Sequence, residues 1–363
     1  MTQRRILIYH IGSLGDTLVA VPALWAVLEN YPDAHITMLT DEQPGRTLVQ
    51  TCNILDGSGL VDDYIFYPVG NLTAMARLLL RIRSGKFDSL VYMVRATAND
   101  RRVLRDKRFF RLAGIKRVLG TQGLPVAPEI SKARCLPRLP HVTDTLLRRL
   151  AASGLHVPPE GDGKMEIGIG VREMEKVEQW LSDLPSSEGR RWIGVGIGGK
   201  MAAKRWPIER YAALVARLVE TDDVWPVVFG GPEDRANGQR LVEHWKRGYV
   251  ACGALGVREA IAAIARCSLF AGNDTGTIHM AATAGVRCVG VYSSRDFPGL
   301  WDPYGKGHVV FRTAIPCEGC LLEECVEQRT RCILSISVER VLAACQDVLR
   351  ATSAQYECLT RAC

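Results

Sequence analysis

Three glycine-bearing turns hold the residues whose types and spacing could do chemistry. The first is His10-Ile11-Gly12-Ser13-Leu14-Gly15-Asp16-Thr17, directly after an apolar run at residues 5–9. Gly12 and Gly15 permit a tight turn and close backbone approach to a ligand, with Ser13 between them as a candidate acceptor contact. Asp16 falls at the start of a helix, where the positive dipole end favours an ionised carboxylate. It either caps that helix or serves as a general base toward an acceptor hydroxyl. The spacing G-x-x-G-D differs from the G-x-G-x-x-G of a dinucleotide fingerprint, which argues against a dehydrogenase.

The second turn runs Gly196-Ile197-Gly198-Gly199-Lys200-Met201-Ala202-Ala203-Lys204-Arg205-Trp206-Pro207. Its glycines open N–H groups toward an anion, and Lys200 and Lys204 add positive charge, although no Walker motif is present. Trp206 reads as packing against its own domain. The third turn, Phe270-Ala271-Gly272-Asn273-Asp274-Thr275-Gly276-Thr277-Ile278-His279, joins a buried strand to a helix. Free N–H groups at Thr275, Gly276 and Thr277 suit a pyrophosphate at a helix N-terminus. Asp274 suits sugar hydroxyls, and His279 lies either at the same mouth or in the core. A smaller strand-end turn, Phe229 to Asp234, offers Glu233 or Asp234 to a ribose hydroxyl pair, although a simple turn explains it equally well.

Twelve cysteines are many for a chain with no visible signal peptide. Four of them, Cys317, Cys320, Cys325 and Cys332, are spaced C-x2-C-x4-C-x6-C. They read either as a tetrahedral thiolate site for a structural zinc or iron, or as four unligated thiols in a packed loop. Such a metal would be structural, since a four-thiolate site leaves no open catalytic position.

The elements that must position these turns repeat as a short strand, a turn and an amphipathic helix. Strands are expected at residues 5–9, 35–40, 64–68 and 89–94, then at 192–197, 224–229, 269–271 and 287–291. Helices are expected at 14–29, 72–83, 208–220, 257–266, 277–284 and 338–349. The rhythm weakens between residues 120 and 166, where prolines punctuate the chain and a linker is expected near 157–170. At 363 residues the chain should fold as two domains, 1–163 and 164–363, with the helix at 338–349 a candidate to pack back on the first. The pattern predicts an α/β architecture of two Rossmann-like, doubly wound parallel sheets facing a central cleft.

Charge is uneven. Residues 1–160 carry 21 Lys and Arg against 14 Asp and Glu, and the remainder carry 25 of each. Much of the surplus lies between Arg95 and Arg117, which reads as a solvated helix face or as a docking surface for an anionic acceptor or an acidic membrane leaflet. Nucleic acid is disfavoured, since no binding module accompanies the basic residues. The apolar run at residues 6–9 is too short for a signal core or membrane span, so a cytoplasmic protein with at most peripheral contact with the inner membrane is expected.

Taken in order, the motifs I-G-S-L-G-D-T-L at 11–18, G-x-x-x-x-x-K-R-W-P at 198–207 and N-D-T-G-x-x-H at 273–279 resemble glycosyltransferase family 9, the bacterial heptosyltransferases of lipopolysaccharide inner core. The resemblance runs from about residue 5 to residue 349. It implies a GT-B fold and an inverting, metal-independent transfer from ADP-heptose to a saccharide or lipid-linked acceptor. It matches Asp16 to the catalytic base, Lys204 to the lysine neutralising donor phosphate and Asp274 to a donor-sugar contact. Thr275 and Gly276 match the phosphate turn, and His279 a histidine lining the donor site. The tract Tyr292 to Pro298 departs from the family, which carries a Pro-Thr-Asp-Pro-like run there. Other readings of the architecture are a transferase with another nucleotide sugar and a protein or metabolite acceptor, a sugar-nucleotide epimerase, or a nucleotide-sugar binding module.

Overall fold

The computed structural model describes residues 3–41, 49–68, 72–126 and 135–361, with side chains as far as residue 352. Two compact units result: Met1–Glu129 with Pro140–Gly168, and Ile130–Leu139 with Ile169–Cys363.

The first unit runs β1 (Arg5–Tyr9), α1 (Leu14–Asn30), β2 (His35–Asp41), α2 (Cys52–Leu55), β3 (Asp63–Tyr67), α3 (Leu72–Ser84), β4 (Ser89–Tyr92), α4 (Arg101–Leu112), β5 (Arg117–Leu119) and α5 (Val142–Ala151). Its sheet has the order β3-β2-β1-β4-β5, with every pair parallel. Ile6, Leu7 and Ile8 of β1 are all buried, as a central strand covered on both faces requires. Helix α1 packs against α5.

Helix α5 falls inside the proline-rich stretch in which the sequence pattern fades. It is a ten-residue helix whose start is set by His141, the ring nitrogen Nδ1 accepting from the Thr143 N–H at 3.1 Å. Its Arg149 is 1% exposed and donates to three carbonyls, those of Tyr92 (2.6 Å), Gly120 (2.7 Å) and Val94 (3.1 Å). A buried guanidinium thus fastens the chain ends that follow β4 and β5, and burial pulls its pKa down to about 10.

The second unit runs α6 (Val171–Ser182), β6 (Trp192–Gly196), α7 (Ile208–Asp222), β7 (Trp225–Phe229), α8 (Arg235–Trp245), β8 (Tyr249–Val250), α9 (Val257–Ile264), β9 (Cys267–Asn273), α10 (Gly276–Thr283), β10 (Cys288–Val291), β11 (Val309–Phe311), α11 (Arg331–Leu334) and α12 (Val338–Arg361). Its parallel sheet has the order β11-β10-β9-β6-β7-β8. Helix α12 packs on α7, β9 and β10, and Val341, Leu342, Cys345, Val348 and Leu349 join that unit's core. Its buried face is therefore used within the second unit.

Residues 135–139 belong with this unit as well. The Leu136 N–H donates to Glu318 Oε1 (2.5 Å), the Leu139 N–H to the Pro298 carbonyl (2.9 Å), and Arg138 pairs with Asp302 (2.6 Å).

Candidate active site

In the second unit the ends of β6 and β9 are held by one side chain. Asn273, fully buried at the end of β9, accepts from the Trp206 N–H (3.0 Å) and the Tyr211 O–H (2.9 Å). Its amide donates to the carbonyls of Ile197 (2.9 Å) and Gly198 (3.1 Å). The turn after β6 is thereby tied at both ends to the strand that leads into Asp274. Trp206 packs within its own unit as expected: it is 2% exposed, edge-on to Tyr211 at 5.0 Å. Asn273 is a structural tie of the candidate site to which its residue type alone assigns no role. A lone amide ending the apolar run Leu269 to Ala271 is the signal that could have found it.

Tyr211→Phe removes one of these four bonds and should destabilise the protein by about 1 kcal/mol. Urea unfolding of the purified variant reads this directly; an unchanged midpoint would mean the bond contributes nothing.

Lys204 ends a single 3₁₀ turn, Ala202–Lys204, and its Nζ lies 2.7 Å from Asp274 Oδ2. Both side chains are shielded, at 15% and 7% exposure. Burial raises the Asp274 pKa, the charge and hydrogen bond of Lys204 oppose that rise, and weaker influences come from Asp296 (raising) and Arg295 (lowering). The divergent tract 292–298 therefore contributes charge to this site. Arg295 is itself fixed by the carbonyls of Leu322 (2.7 Å) and Leu321 (2.5 Å).

Immediately beyond Asp274, Thr275 is the N-cap of α10, and its hydroxyl lies 3.0 Å from that of Thr277. The N–H groups of Gly276 and Thr277, in the first turn, have no partner inside the helix, which makes this end a natural receiver of an anion. Gly199 must lack a side chain here, because a Cβ would stand 2.8 Å from Thr275 Cγ2.

The other expected donor residues divide. Lys200 is exposed and forms no ion pair among the described residues. Glu233 is exposed too. Its neighbour Asp234 is the half-buried one of the pair: Oδ2 accepts from the Gly231 N–H at 3.2 Å, and Cβ atoms at Gly198 or Gly230 would collide with its carboxylate. Burial first, then the charge of Glu233, raises the Asp234 pKa, while Arg205 lowers it. His279 is 3% exposed and lies 6.3 Å from the Trp301 ring at 65°.

In the first unit Ser13 is the N-cap of α1, and Asp16 folds back on it. One carboxylate oxygen, Oδ2, accepts from the Ser13 N–H (2.9 Å) and the Ser13 hydroxyl (3.0 Å). The fold-back requires a glycine at 12, where a Cβ would overlap that of Asp16. Oδ1 has no hydrogen-bond partner among the described residues, so capping occupies half of this half-buried carboxylate.

Behind the loop sits His10, 3% exposed, its Nε2 3.3 Å from Thr17 Oγ1. The chain of hydroxyls continues to Thr51 (3.2 Å) and Thr40 (3.1 Å). His10 is a second residue quoted without a role, and a polar group ending an apolar strand is again the signal. Burial lowers its pKa below the 6.5 of an ordinary histidine, with Asp16 and Asp41 opposing. The unfolded chain therefore takes up this proton first as pH falls. Stability from neutral His10 is complete above about pH 6.5 and is lost on acidification, with a slope of at most about 1.4 kcal/mol per pH unit. His308, also lowered by burial, adds in the same sense. Thermal melts between pH 7.5 and 5 should show a shallower decline for His10→Asn than for the parent; parallel declines would remove His10 from the acid response.

The four clustered cysteines are free thiols. Burial first, then the nearby Cys320, Cys332 and Cys325, raises the Cys317 pKa, so the four are neighbours. Yet among the described residues no three or more His, Cys, Asp or Glu side chains are placed to hold an ion. Cys332 lies on α11 and packs against the second unit's core, while Cys320 is exposed.

Two doubly wound parallel units, one carrying a lysine–aspartate pair beside an open helix N-terminus, define an α/β protein of the GT-B fold class. The chain belongs to glycosyltransferase family 9 (heptosyltransferase), whose family model matches residues 140–331, more than half of it. Lipopolysaccharide heptosyltransferase 2 of Salmonella typhimurium is 32% identical over 36% of this chain and 39% of its own length. The lipopolysaccharide core heptosyltransferase OpsX of Haemophilus influenzae is 23% identical over 84% of this chain and 82% of its own. A family 9 glycosyltransferase from Veillonella parvula shares the fold, with TM-score 0.75 and 21% identity over 97% of this chain and 99% of its own. Against three of the curated relatives the match spans only 34%, 39% and 52% of the relative's length. Among the described residues no helix is long and apolar enough to cross a membrane.

Proposed function

We propose that this chain is an inverting glycosyltransferase moving a heptose from ADP-heptose to a hydroxyl of an anionic, lipid-linked saccharide of the lipopolysaccharide core type. The observation that carries the reading is the shielded Lys204–Asp274 pair beside the open first turn of α10, within the stretch that matches the family. A diphosphate leaving group needs charge compensation where its bridging oxygen takes up electrons. An ammonium and two backbone N–H groups supply it without a divalent ion.

In this reading the acceptor is held by the first unit's loop, Gly12, Ser13 and Gly15, and Asp16 takes its hydroxyl proton through Oδ1. The acceptor oxygen then bonds to the anomeric carbon as the bond to the diphosphate breaks. ADP departs and the proton stays on Asp16. Asp274 contacts the donor sugar, Thr275, Gly276 and Thr277 hold phosphate, and His279 lines the donor side. Asp234 replaces Glu233 as the candidate ribose contact, because it is the half-buried acid of the two. Such an enzyme works in the cytoplasm, in peripheral contact with the inner membrane that carries its acceptor.

The test is a transfer assay with ADP-heptose, a lipid-linked anionic saccharide and a chelator. One ADP should be released per glycoside formed, with inverted anomeric configuration by NMR. Turnover with a different nucleotide sugar only, or transfer abolished by the chelator, would overturn the corresponding part.

A further inference from the structure

Helix α4 presents an outward face that no described element covers. At 3.6 residues per turn, Arg101, Leu104, Arg105, Arg108, Arg111 and Leu112 fall within an arc of about 120°. All six are exposed, Leu104 at 55% and Leu112 at 66%. The helix's one acid, Asp106, is turned inward, where it accepts from the Tyr92 hydroxyl at 2.9 Å and from Arg105. Arg101, Arg108 and Arg111 have no acidic partner among the described residues. Beside it packs α3, which carries Arg77, Arg81 and Arg83 with no acid and leaves Leu80 64% exposed.

We infer that this α3–α4 face is a docking surface for an anionic lipid bilayer. Arginines alone would suit any polyanion; leucines set among them gain only from an apolar environment. A helix lying in the headgroup layer meets both needs, its arginines reaching lipid phosphates and its leucines the acyl boundary. A soluble anionic saccharide leaves the leucines in water, and a nucleic acid offers them nothing to enter. The inference rests on the proposed function only in giving the contact a purpose, which is to hold the first unit at the surface that carries a lipid-linked acceptor.

The full chain should sediment with vesicles of phosphatidylcholine mixed with phosphatidylglycerol, not with phosphatidylcholine alone, and added salt should weaken binding. Each charge reversal at Arg108 or Arg111 should lower partitioning about thirtyfold, since it changes two charges at about 1 kcal/mol each near the surface. The pair Leu104→Ser and Leu112→Ser should lower it at least as far, at unchanged salt dependence. Because these side chains are exposed, both variants should keep the parent melting temperature and ADP response, which separates failure of the surface from failure of the enzyme reading. Three results would overturn the inference: no binding to anionic vesicles, equal binding by the leucine variant, or a lipid-free dimer abolished by that same leucine pair.

Discussion

Lys204→Ala should destabilise the protein by about 3–5 kcal/mol at neutral pH, the range found when one member of a buried ion pair is removed. The cause is what remains. Asp274 is 6% exposed, burial already raises its pKa, and Lys204 is the largest influence opposing that rise. Without the ammonium the carboxyl rises further, and above that higher pKa the fold must keep an uncompensated charge indoors. A carboxyl raised in the folded state penalises stability at high pH and recovers as pH falls toward its unfolded value, where both states are protonated. The deficit of the single variant should therefore shrink on acidification. Removing both charges together, as Lys204→Met with Asp274→Asn, should cost less than Lys204→Ala alone. Urea unfolding at pH 7.5 and pH 5 measures all three; a single variant as stable as the parent at pH 7.5 would show that the pair is not coupled.

Asp16→Asn should lower turnover by about 10²- to 10⁴-fold while barely moving the melting temperature. Asparagine can still accept from the Ser13 N–H, so the cap on α1 survives, but it cannot take a proton. Asp16→Ala removes both functions and should add a stability loss of about 0.5–2 kcal/mol. The two substitutions thus separate roles that the sequence leaves superimposed on one residue. Parent-like turnover in Asp16→Asn would end the assignment of Asp16 as base, whatever the alanine variant does.

Much of the fold was legible because the strands that carry the turns are apolar on both faces. Runs such as Ile6–Ile8 and Leu269–Ala271, each followed by a glycine turn, suit buried strands of a parallel sheet, and those turns mark where ligands could approach. What stayed hidden lacked a periodic signal. Helix α5 sits among prolines and takes its start from a histidine cap, and β8 and β11 have two and three residues, too few to show alternation. In the candidate site, residue types announced Lys204, Asp274 and Asp16, since charge beside glycine is conspicuous. Asn273 and His10 escaped because their roles are tertiary: one ties two strand ends together, the other is buried at the root of its loop against the Thr17 hydroxyl. Glu233 and Asp234 are neighbouring acids of similar type, and only burial and the Gly231 N–H bond to Asp234 separate them.

The proposed transfer depends above all on a nucleoside diphosphate held at Lys204 and the first turn of α10. Thermal shift with ADP, UDP, GDP and NAD, in chelator, tests it most directly. ADP at about 100 times its dissociation constant should stabilise the fold by about 2.7 kcal/mol. UDP, GDP and NAD should do far less, and a folded Lys204→Met, Asp274→Asn variant should lose the ADP response. Stabilisation by NAD alone, or by no nucleoside diphosphate, would contradict the claim.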